Sequence, residues 1–387
     1  MADDDRRPHE QPSNSARRSV KRKLNDDFVV DRRSVSPEDV IRAHVEVLQR
    51  CFDSVDADRV LVKRSVDGLC ELAKDGWSFV RFCYCAEDNV NLIVESGAVP
   101  VLVQYLQEPQ LMPHEDVTRF RPYEHEVEKG CAFTLGLLAI KPEHQQRIVD
   151  SGALPHLVAM LKRHKSGQNY RAVNGVIRKA ADAITNLAHE NGNIKTLVRV
   201  EGGIPPLVEL LEFADMKVQR AAAGALRTLA FKNDENKTQI VGCNALPTLV
   251  LMLQSEDVGL HFEAVGVIGN LVHSSPNIKK EVLLAGALQP VIELLSSTCS
   301  ESQREAALLL GQFAAADTDC KVHIVQRGAV GPLIEMLQSS EAQLKEMSAF
   351  ALGRLAQVIK YLVAYRPVNE PNEPEQRYIC VRSFNFN

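Results

Sequence analysis

Small and aliphatic residues recur in one outline along the second half of this chain. Residues 220–230 read RAAAGALRTLA, residues 262–272 read FEAVGVIGNLV and residues 304–314 read REAALLLGQFA, each 42 residues after the one before. Within each stretch the apolar positions fall three and four residues apart, which predicts one buried face of an α-helix. The pattern therefore predicts the same helix at least three times, at a fixed period.

A second phrase marks the joins between these units and sets their register. It reads GAVPVL from Gly97, GALPHL from Gly152, GGIPPL from Gly202, NALPTL from Asn244, GALQPV from Gly286 and GAVGPL from Gly328. Glycine or asparagine can adopt a positive φ and end one helix. A proline near the start of the next helix lacks only an N–H that would have no partner there. Six joins predict six helical repeats.

The period identifies the class of repeat. Spacings of about 40 to 47 residues are typical of HEAT and armadillo repeats. Each unit here predicts a short helix, a middle helix and a longer third helix, whereas HEAT repeats have two helices and usually lack the Gly-x-x-Pro join. We therefore expect an all-α fold, a right-handed armadillo-repeat superhelix (α-solenoid), in which each unit covers the apolar face of its neighbour.

Departures from the repeat divide the chain into four parts. We predict a disordered tail at 1–37, a degenerate capping repeat at 38–96 with an irregular insertion at 75–86, armadillo repeats at 97–357 and a non-repeat segment at 358–387. Loops are expected at 107–122 and 162–171. The insertion and the segment after Gln357 lack the repeat outline, and we expect them to reflect an alternative or misassigned transcript.

Composition excludes several classes of function. The net charge is −5, and no apolar run approaches the roughly 18 residues that span a bilayer, so neither direct nucleic-acid binding nor a membrane location is expected. The nine cysteines form no C-x-x-C pair, which favours reduced, buried thiols. Phosphate-loop, HExxH and GxSxG motifs are absent from the sequence, so we expect no enzyme activity, no metal and no cofactor.

The tail carries a cluster of cations, RRSVKRKL at residues 17–24. Its five basic residues are Arg17, Arg18, Lys21, Arg22 and Lys23. Such a run in an accessible segment predicts a nuclear localisation signal, with importin as the partner for entry. The predicted location is the nucleus, with the cytoplasm as a second location. An ordinary solvated tail is the alternative.

Long stretches of the chain resemble plant armadillo-repeat/BTB proteins, the abscisic-acid-response and cell-proliferation adaptor family. They include RPYEHEVEKGCAFTLGLLAIKPEHQQRIVDSGALPHLV and VIRKAADAITNLAHENGNIKTLVRVEGGIPPLVELLEF, and the likeness covers most of 38–357. The resemblance implies a nuclear adaptor whose array binds transcription factors (bZIP or TCP type) or replication-licensing factors. In that family a BTB domain links to cullin-type ubiquitin ligases, and we expect no BTB domain in these residues.

The family's third helices line a concave groove, which gives candidate binding residues. One polar position per third helix can pair with the backbone of a peptide, and an amide suits this because it both donates and accepts. The predicted groove residues are Lys179, Asp182, Asn186, Thr228, Asn270, Gln312 and Arg354. The alternative is that these side chains simply face solvent. The basic loop at 162–171 is a second candidate, for an anion or an acidic partner.

Two other armadillo functions stay open at this stage. An importin-α-like nuclear-import receptor pairs a tryptophan with the asparagine four residues later, using the ring to flank a lysine stem. The corresponding positions here hold Asp182, Gly224 and Gly266, which counts against that function. A catenin-like structural scaffold is the other alternative, although grooves of that type are usually more basic.

Overall fold

The structure is a computed structural model that describes residues 36–52, 59–75, 86–107, 122–163, 170–315 and 318–364. Within these residues it contains twenty α-helices and no strand. The first two are α1 (Pro37–Phe52) and α2 (Arg59–Asp75). No helix in the described part of the chain is long and apolar enough to cross a membrane.

Six units of three helices follow the first pair. The first three units are α3 (Ala86–Glu95), α4 (Ala98–Gln104) and α5 (Pro122–Leu138); α6 (Pro142–Asp150), α7 (Ala153–Leu161) and α8 (Tyr170–Ala188); and α9 (Gly192–Val200), α10 (Ile204–Glu209) and α11 (Met216–Ala230). The last three are α12 (Asp234–Gly242), α13 (Ala245–Leu253) and α14 (Val258–Val272); α15 (Pro276–Leu284), α16 (Leu288–Glu293) and α17 (Ser300–Phe313); and α18 (Thr318–Gln326), α19 (Val330–Met336) and α20 (Ala342–Ala364).

Third helices stack in chain order and form the spine of the solenoid. Helices α2, α5, α8, α11, α14, α17 and α20 each pack against the next. Small residues permit this close approach: a Cβ added to Gly136 on α5 would lie 3.2 Å from the Cα of Ala183 on α8. One continuous apolar core results, from Ile41 to Leu355. The predicted all-α armadillo solenoid is confirmed.

The predicted joins adopt the backbone conformation that the sequence indicates. Each of the six has a positive φ: Gly97 80°, Gly152 85°, Gly202 73°, Asn244 61°, Gly286 89° and Gly328 87°. This left-handed conformation strains a residue that carries a Cβ, apart from asparagine and aspartate, which tolerate it best. The helix-ending role assigned to these residues is confirmed.

A lysine series that the sequence analysis did not identify joins the first helix of a unit to the end of the third helix of the same unit. Lys195 Nζ donates to the carbonyl of Phe231 at 2.7 Å, and Lys237 Nζ donates to that of His273 at 2.8 Å. Lys279 Nζ donates to the carbonyl of Ala315 at 3.0 Å. Each lysine lies on a first helix and caps the carboxyl end of the third helix of the same unit, where carbonyls lack partners within the helix. Burial lowers the pKa of Lys195.

Several predicted boundaries differ from the helices observed. Helix α20 continues to Ala364 instead of ending at Gln357, because no glycine or proline interrupts VIKYLVA. Helix α8 begins at Tyr170, so the last two residues of the predicted loop at 162–171 are helical. Residues 1–35, 53–58, 76–85, 108–121, 164–169, 316–317 and 365–387 lie outside the described part of the chain, and with them most of the predicted tail, insertion, C-terminal segment and loops at 107–122 and 162–171.

Candidate functional site

Two adjoining cavities lie along the third helices of the N-terminal half. The first, of about 910 Å³, is lined by residues of α2, α5 and α8 and by the start of α11. The second, of about 500 Å³, is lined by residues of α5, α8, α11 and α14. Phe133, Arg178, Lys179 and Lys217 line both cavities. We call these four residues the central cluster, and the two cavities together the third-helix groove.

Cations surround the aromatic ring of the central cluster. Lys179 Nζ lies 3.7 Å from the ring centroid of Phe133, and Lys74 Nζ lies 5.3 Å from it. Lys179 also pairs with Asp182 on its own helix, with Nζ 3.1 Å from Oδ2. An ammonium over an aromatic face is stabilised by about 0.5–2 kcal/mol, depending on how far it is desolvated. These contacts fix Phe133 and Lys179 as one unit.

Acidic side chains that line the groove already have partners. Lys74 Nζ binds Glu71 at 2.6 Å, and Lys129 Nζ binds Glu126 at 2.5 Å. Asp215 accepts hydrogen bonds from the backbone N–H groups of residues 217 and 218 at the start of α11, and from Asn174 Nδ2 at 3.0 Å. Desolvation by burial is the largest single influence on the pKa of Asp215 and raises it, but the hydrogen bonds that Asp215 accepts, with the nearby charge of Lys217, together outweigh it and hold the pKa below its ordinary value.

Three cations of the groove have no such partner. Among the described residues, the side chains of Arg171, Arg178 and Lys217 make no hydrogen bond or ion pair. The Nε atom of Arg178 is inaccessible to solvent and still lacks an acceptor. Positive charge is therefore in excess where the two cavities meet.

An arginine spans neighbouring third helices beyond the two cavities. Arg227 on α11 reaches over α14 to α17, where its Nη2 lies 3.0 Å from Glu305 Oε1. On the way its Nη1 lies 3.7 Å from Glu263 Oε2, and its Cζ lies 4.6 Å from the ring centroid of Phe262. Burial raises the pKa of Glu263, and the Arg227 charge opposes that rise. The chain's own side chains thus occupy this part of the surface.

The structure brings together only some of the predicted groove residues. Lys179, Asp182 and Asn186 line the second cavity, whereas Thr228, Asn270, Gln312 and Arg354 line neither cavity. Arg354 is exposed, with its Cζ 5.3 Å from the ring centroid of Phe350. The Oε1 atom of Gln312 is buried without a hydrogen-bond partner.

The two asparagines of the predicted ladder donate to their own protein. Asn186 Nδ2 donates to the carbonyl of Gly136 on α5, and Asn270 Nδ2 donates to that of Arg227 on α11, both at 2.9 Å. These bonds link neighbouring third helices. The sequence analysis assigned both the donor and the acceptor of each amide to a bound peptide. The amide donors of Asn186 and Asn270 instead form hydrogen bonds within the solenoid.

The sequence analysis did not identify the arginine that covers the surface over α14. It noted Gly224 and Gly266 only as positions without tryptophan, and it did not identify Arg227 or Lys217. The sequence contains a pattern that could have indicated such arginines: Gly259 and Gly266 each face an arginine 39 residues earlier in the chain. The predicted nuclear-signal residues Arg17, Arg18, Lys21, Arg22 and Lys23 lie outside the described residues. No group of three metal-ligating side chains occurs in the described part.

Comparison with known proteins supports the repeat assignment. The armadillo/beta-catenin-like repeat family matches residues 191–231 and 233–273. An Arabidopsis thaliana protein described as "ARM repeat protein interacting with ABF2" is 64% identical over 180 residues, which is 46% of this chain and 23% of that protein. The Arabidopsis thaliana "Armadillo BTB Arabidopsis protein 1" is 56% identical over 181 residues, with the same coverage. The matches span about a quarter of each relative.

Solved structures show the same architecture. A crystal structure of an engineered protein superposes with a TM-score of 0.68 at 28% identity, covering 84% of this chain and 71% of that one. A designed armadillo repeat protein in complex with the peptide (KR)4 gives a TM-score of 0.56 at 24% identity, covering 66% of this chain and 99% of that one. The second similarity concerns the fold alone.

Proposed function

This chain is an all-helical armadillo-repeat solenoid related over its repeat region to two Arabidopsis armadillo proteins, and we propose that it is a protein-binding scaffold. Its third-helix groove holds a segment of a regulatory protein. The partner is a transcription factor of bZIP or TCP type or a replication-licensing factor, as the family resemblance implies. The scaffold acts in the nucleus, where it presents that partner to other proteins.

One observation carries this proposal. The third-helix groove extends along five successive third helices, and 180 residues of the chain are 64% identical to a protein described as interacting with ABF2. An elongated surface lined by charged side chains and an aromatic ring suits an unfolded or helical protein segment better than a small metabolite, because small-molecule sites are enclosed and mostly apolar.

Binding to ABF2 tests the proposal directly. We would titrate purified ABF2 into the full chain and measure heat, comparing the unchanged protein with Phe133→Ala. We expect saturable binding that weakens about tenfold in the variant, because aromatic anchors carry much of the energy of such interfaces. Lys280→Met, on an exposed position of α15 outside the groove, is the control and should bind like the unchanged protein. Absent binding, or equal affinity in Phe133→Ala, would contradict the proposal.

Nuclear location has its own test. A fluorescent fusion of the chain should concentrate in the nuclei of plant cells. Replacing Arg17, Arg18, Lys21, Arg22 and Lys23 by alanine should shift it to the cytoplasm, because importin recognises such a basic run. An unchanged distribution would show that this run does not act as the signal.

A further inference from the structure

We infer that the third-helix groove takes an acidic peptide segment of the partner, whose carboxylates bind Arg178 and Lys217 beside Phe133. This inference rests on the proposed function and specifies the chemistry of the occupant. It concerns the N-terminal half of the solenoid, where both cavities lie.

Charge complementarity is the main argument. Every acidic side chain that lines the two cavities is engaged. Asp67 pairs with Lys63 at 2.7 Å, Asp182 with Lys179 at 3.1 Å and Glu263 with Arg227 at 3.7 Å. The other three acids, which were described above, are held by a lysine or by helix N–H groups. An incoming segment therefore meets the positive charge of Arg171, Arg178 and Lys217, which form no ion pair among the described residues.

The position of these cations makes a linear site. Arg171 and Arg178 lie two turns apart on α8, and Lys217 lies in the first turn of α11. Arg178 presents a planar guanidinium, which binds carboxylates in a bidentate manner. A carboxylate placed here binds cations that have no hydrogen bond or ion pair among the described residues, so it does not displace an ion pair seen there.

The dimensions of the groove set the length of the occupant. Neighbouring packed helices lie about 8–10 Å apart. The path from α2 to α11 crosses three such steps, and an extended chain rises about 3.3 Å per residue. A segment of about eight to ten residues therefore fits this path. Beyond α11, Arg227 lies across the surface and ends the accessible part.

A basic segment suits this surface poorly. Its lysines would find Glu71, Glu126 and Asp182 already neutralised by neighbouring lysines. It would also bring like charges close to Arg178 and Lys217, which disfavours association. A nucleic acid is the rival anion, and the test below separates it from an acidic peptide.

The test uses the full chain and defined ten-residue probes. A fluorescein-labelled peptide that alternates Glu with Leu and Ser is compared with a peptide in which Gln replaces every Glu, and with one in which Lys replaces it. Anisotropy at low and at moderate salt gives the affinities. We expect the acidic peptide to bind at least tenfold more tightly than the other two, with affinity that falls as salt rises.

Matched variants locate the site. Arg178→Met and Lys217→Met should each weaken binding of the acidic peptide about five- to tenfold. Arg327→Met and Lys280→Met remove the same charges at exposed positions directly after α18 and on α15, outside the groove, and should leave the affinity unchanged. Equal binding of the three peptides, or an acidic peptide that is insensitive to both groove variants, would overturn the inference.

Two further arms separate the possible failures. If a single-stranded DNA of ten nucleotides bound more tightly than the acidic peptide and lost affinity in Arg178→Met, the groove would be a nucleic-acid site and the inference would be wrong. If ABF2 bound through Phe133 while the acidic peptide failed to bind, the proposed function would stand and only the charge assignment would fall. Acidic-peptide binding without ABF2 binding would support the inference and contradict that partner.

Discussion

Arg227 lies over Gly266, one repeat further along the chain: a Cβ added to Gly266 would lie 2.4 Å from the Nε atom of Arg227. Only a glycine leaves room for the guanidinium to cross α14 and reach Glu305 on α17. The absent side chain therefore lets Arg227 cover the surface over α14, and it links a local sequence feature to the part of the third-helix surface that Arg227 occupies.

The first prediction concerns this contact. Gly266→Ala should force the Arg227 side chain away and remove its contacts with Glu305 and Phe262. The helix gain of about 0.5–1 kcal/mol from replacing glycine should then be offset by the lost contacts, so the free energy of unfolding should hardly change. Urea unfolding monitored by circular dichroism measures it.

Gly269→Ala on the same helix is the control, because no atom lies within 4 Å of its added Cβ. It should show the full helix gain. In an Arg227→Met background the two alanine variants should become equal, which a double-mutant cycle detects. Equal effects in the unchanged background would contradict the proposed crowding.

The second prediction concerns the lysine series. Lys237 is 2% exposed, and its Nζ donates to the His273 carbonyl and to Asp234 Oδ1, both at 2.8 Å. Lys237→Met should lower the free energy of unfolding by about 1.5–3 kcal/mol, because hydrogen bonds to charged groups contribute that much. Lys280→Met, at an exposed position of the next unit, should change it by less than about 0.5 kcal/mol. A loss no larger than the control's would show that the cap is dispensable.

The third prediction concerns the asparagines that join third helices. Asn270→Ala removes the hydrogen bond to the Arg227 carbonyl and should destabilise the chain by about 1 kcal/mol. Asn186→Ala should act alike and should also weaken partner binding, since Asn186 lines the second cavity. Asn277→Ala, at an exposed position of α15, serves as the comparison for stability. If Asn270→Ala proved as stable as Asn277→Ala, the cross-helix bond would carry no stability.

The fourth prediction concerns pH. His144 is 8% exposed, its Nε2 lies 2.9 Å from Asn91 Oδ1, and burial lowers the pKa of its imidazole. The unfolded chain takes up this proton near pH 6.5, at the reference value for histidine, whereas the folded chain takes it up only at lower pH. Stability is therefore complete above about pH 6.5 and falls as the pH drops through the folded-state pKa.

His144→Gln keeps a donor towards Asn91 and removes the titration. The loss of unfolding free energy between pH 7.5 and 5 should therefore become smaller in this variant. His323→Gln, an exposed position on α18, should retain the loss seen in the unchanged protein. An identical pH dependence in all three proteins would exclude His144 as a source of acid destabilisation.

Much of the fold follows from the sequence because the repeat is local. The joins at Gly97 and Asn244 were predictable, since a positive φ restricts the residue type whatever packs around it. The third-helix faces were predictable from their 3.6-residue period. The end of α20 was not, because the chain carries helix-forming residues past Gln357 and a repeat pattern cannot show where helix propensity continues.

The groove shows where such inference ends. Lys179, Asp182 and Asn186 were found from their register on one helix, and they do line a cavity. Gln312 and Arg354 share that register and line none, because register fixes the face of a helix and not what the neighbouring helices place above it. A long side chain such as Arg227 can cross two helices. The sequence of a single repeat does not show which residue of a later repeat such a side chain contacts.

The sequence by itself determined the helices, their joins and their stacking order, because each depends on residues within one unit or on its immediate neighbour. Only the tertiary structure decided which part of the shared surface is open and what charge it presents. Those properties depend on ion pairs between units, such as the one that Arg227 makes with Glu305 from 78 residues away. A periodic pattern shows which face of its helix each side chain occupies, whereas the pairing of charges depends on where the charged group of each side chain lies in space.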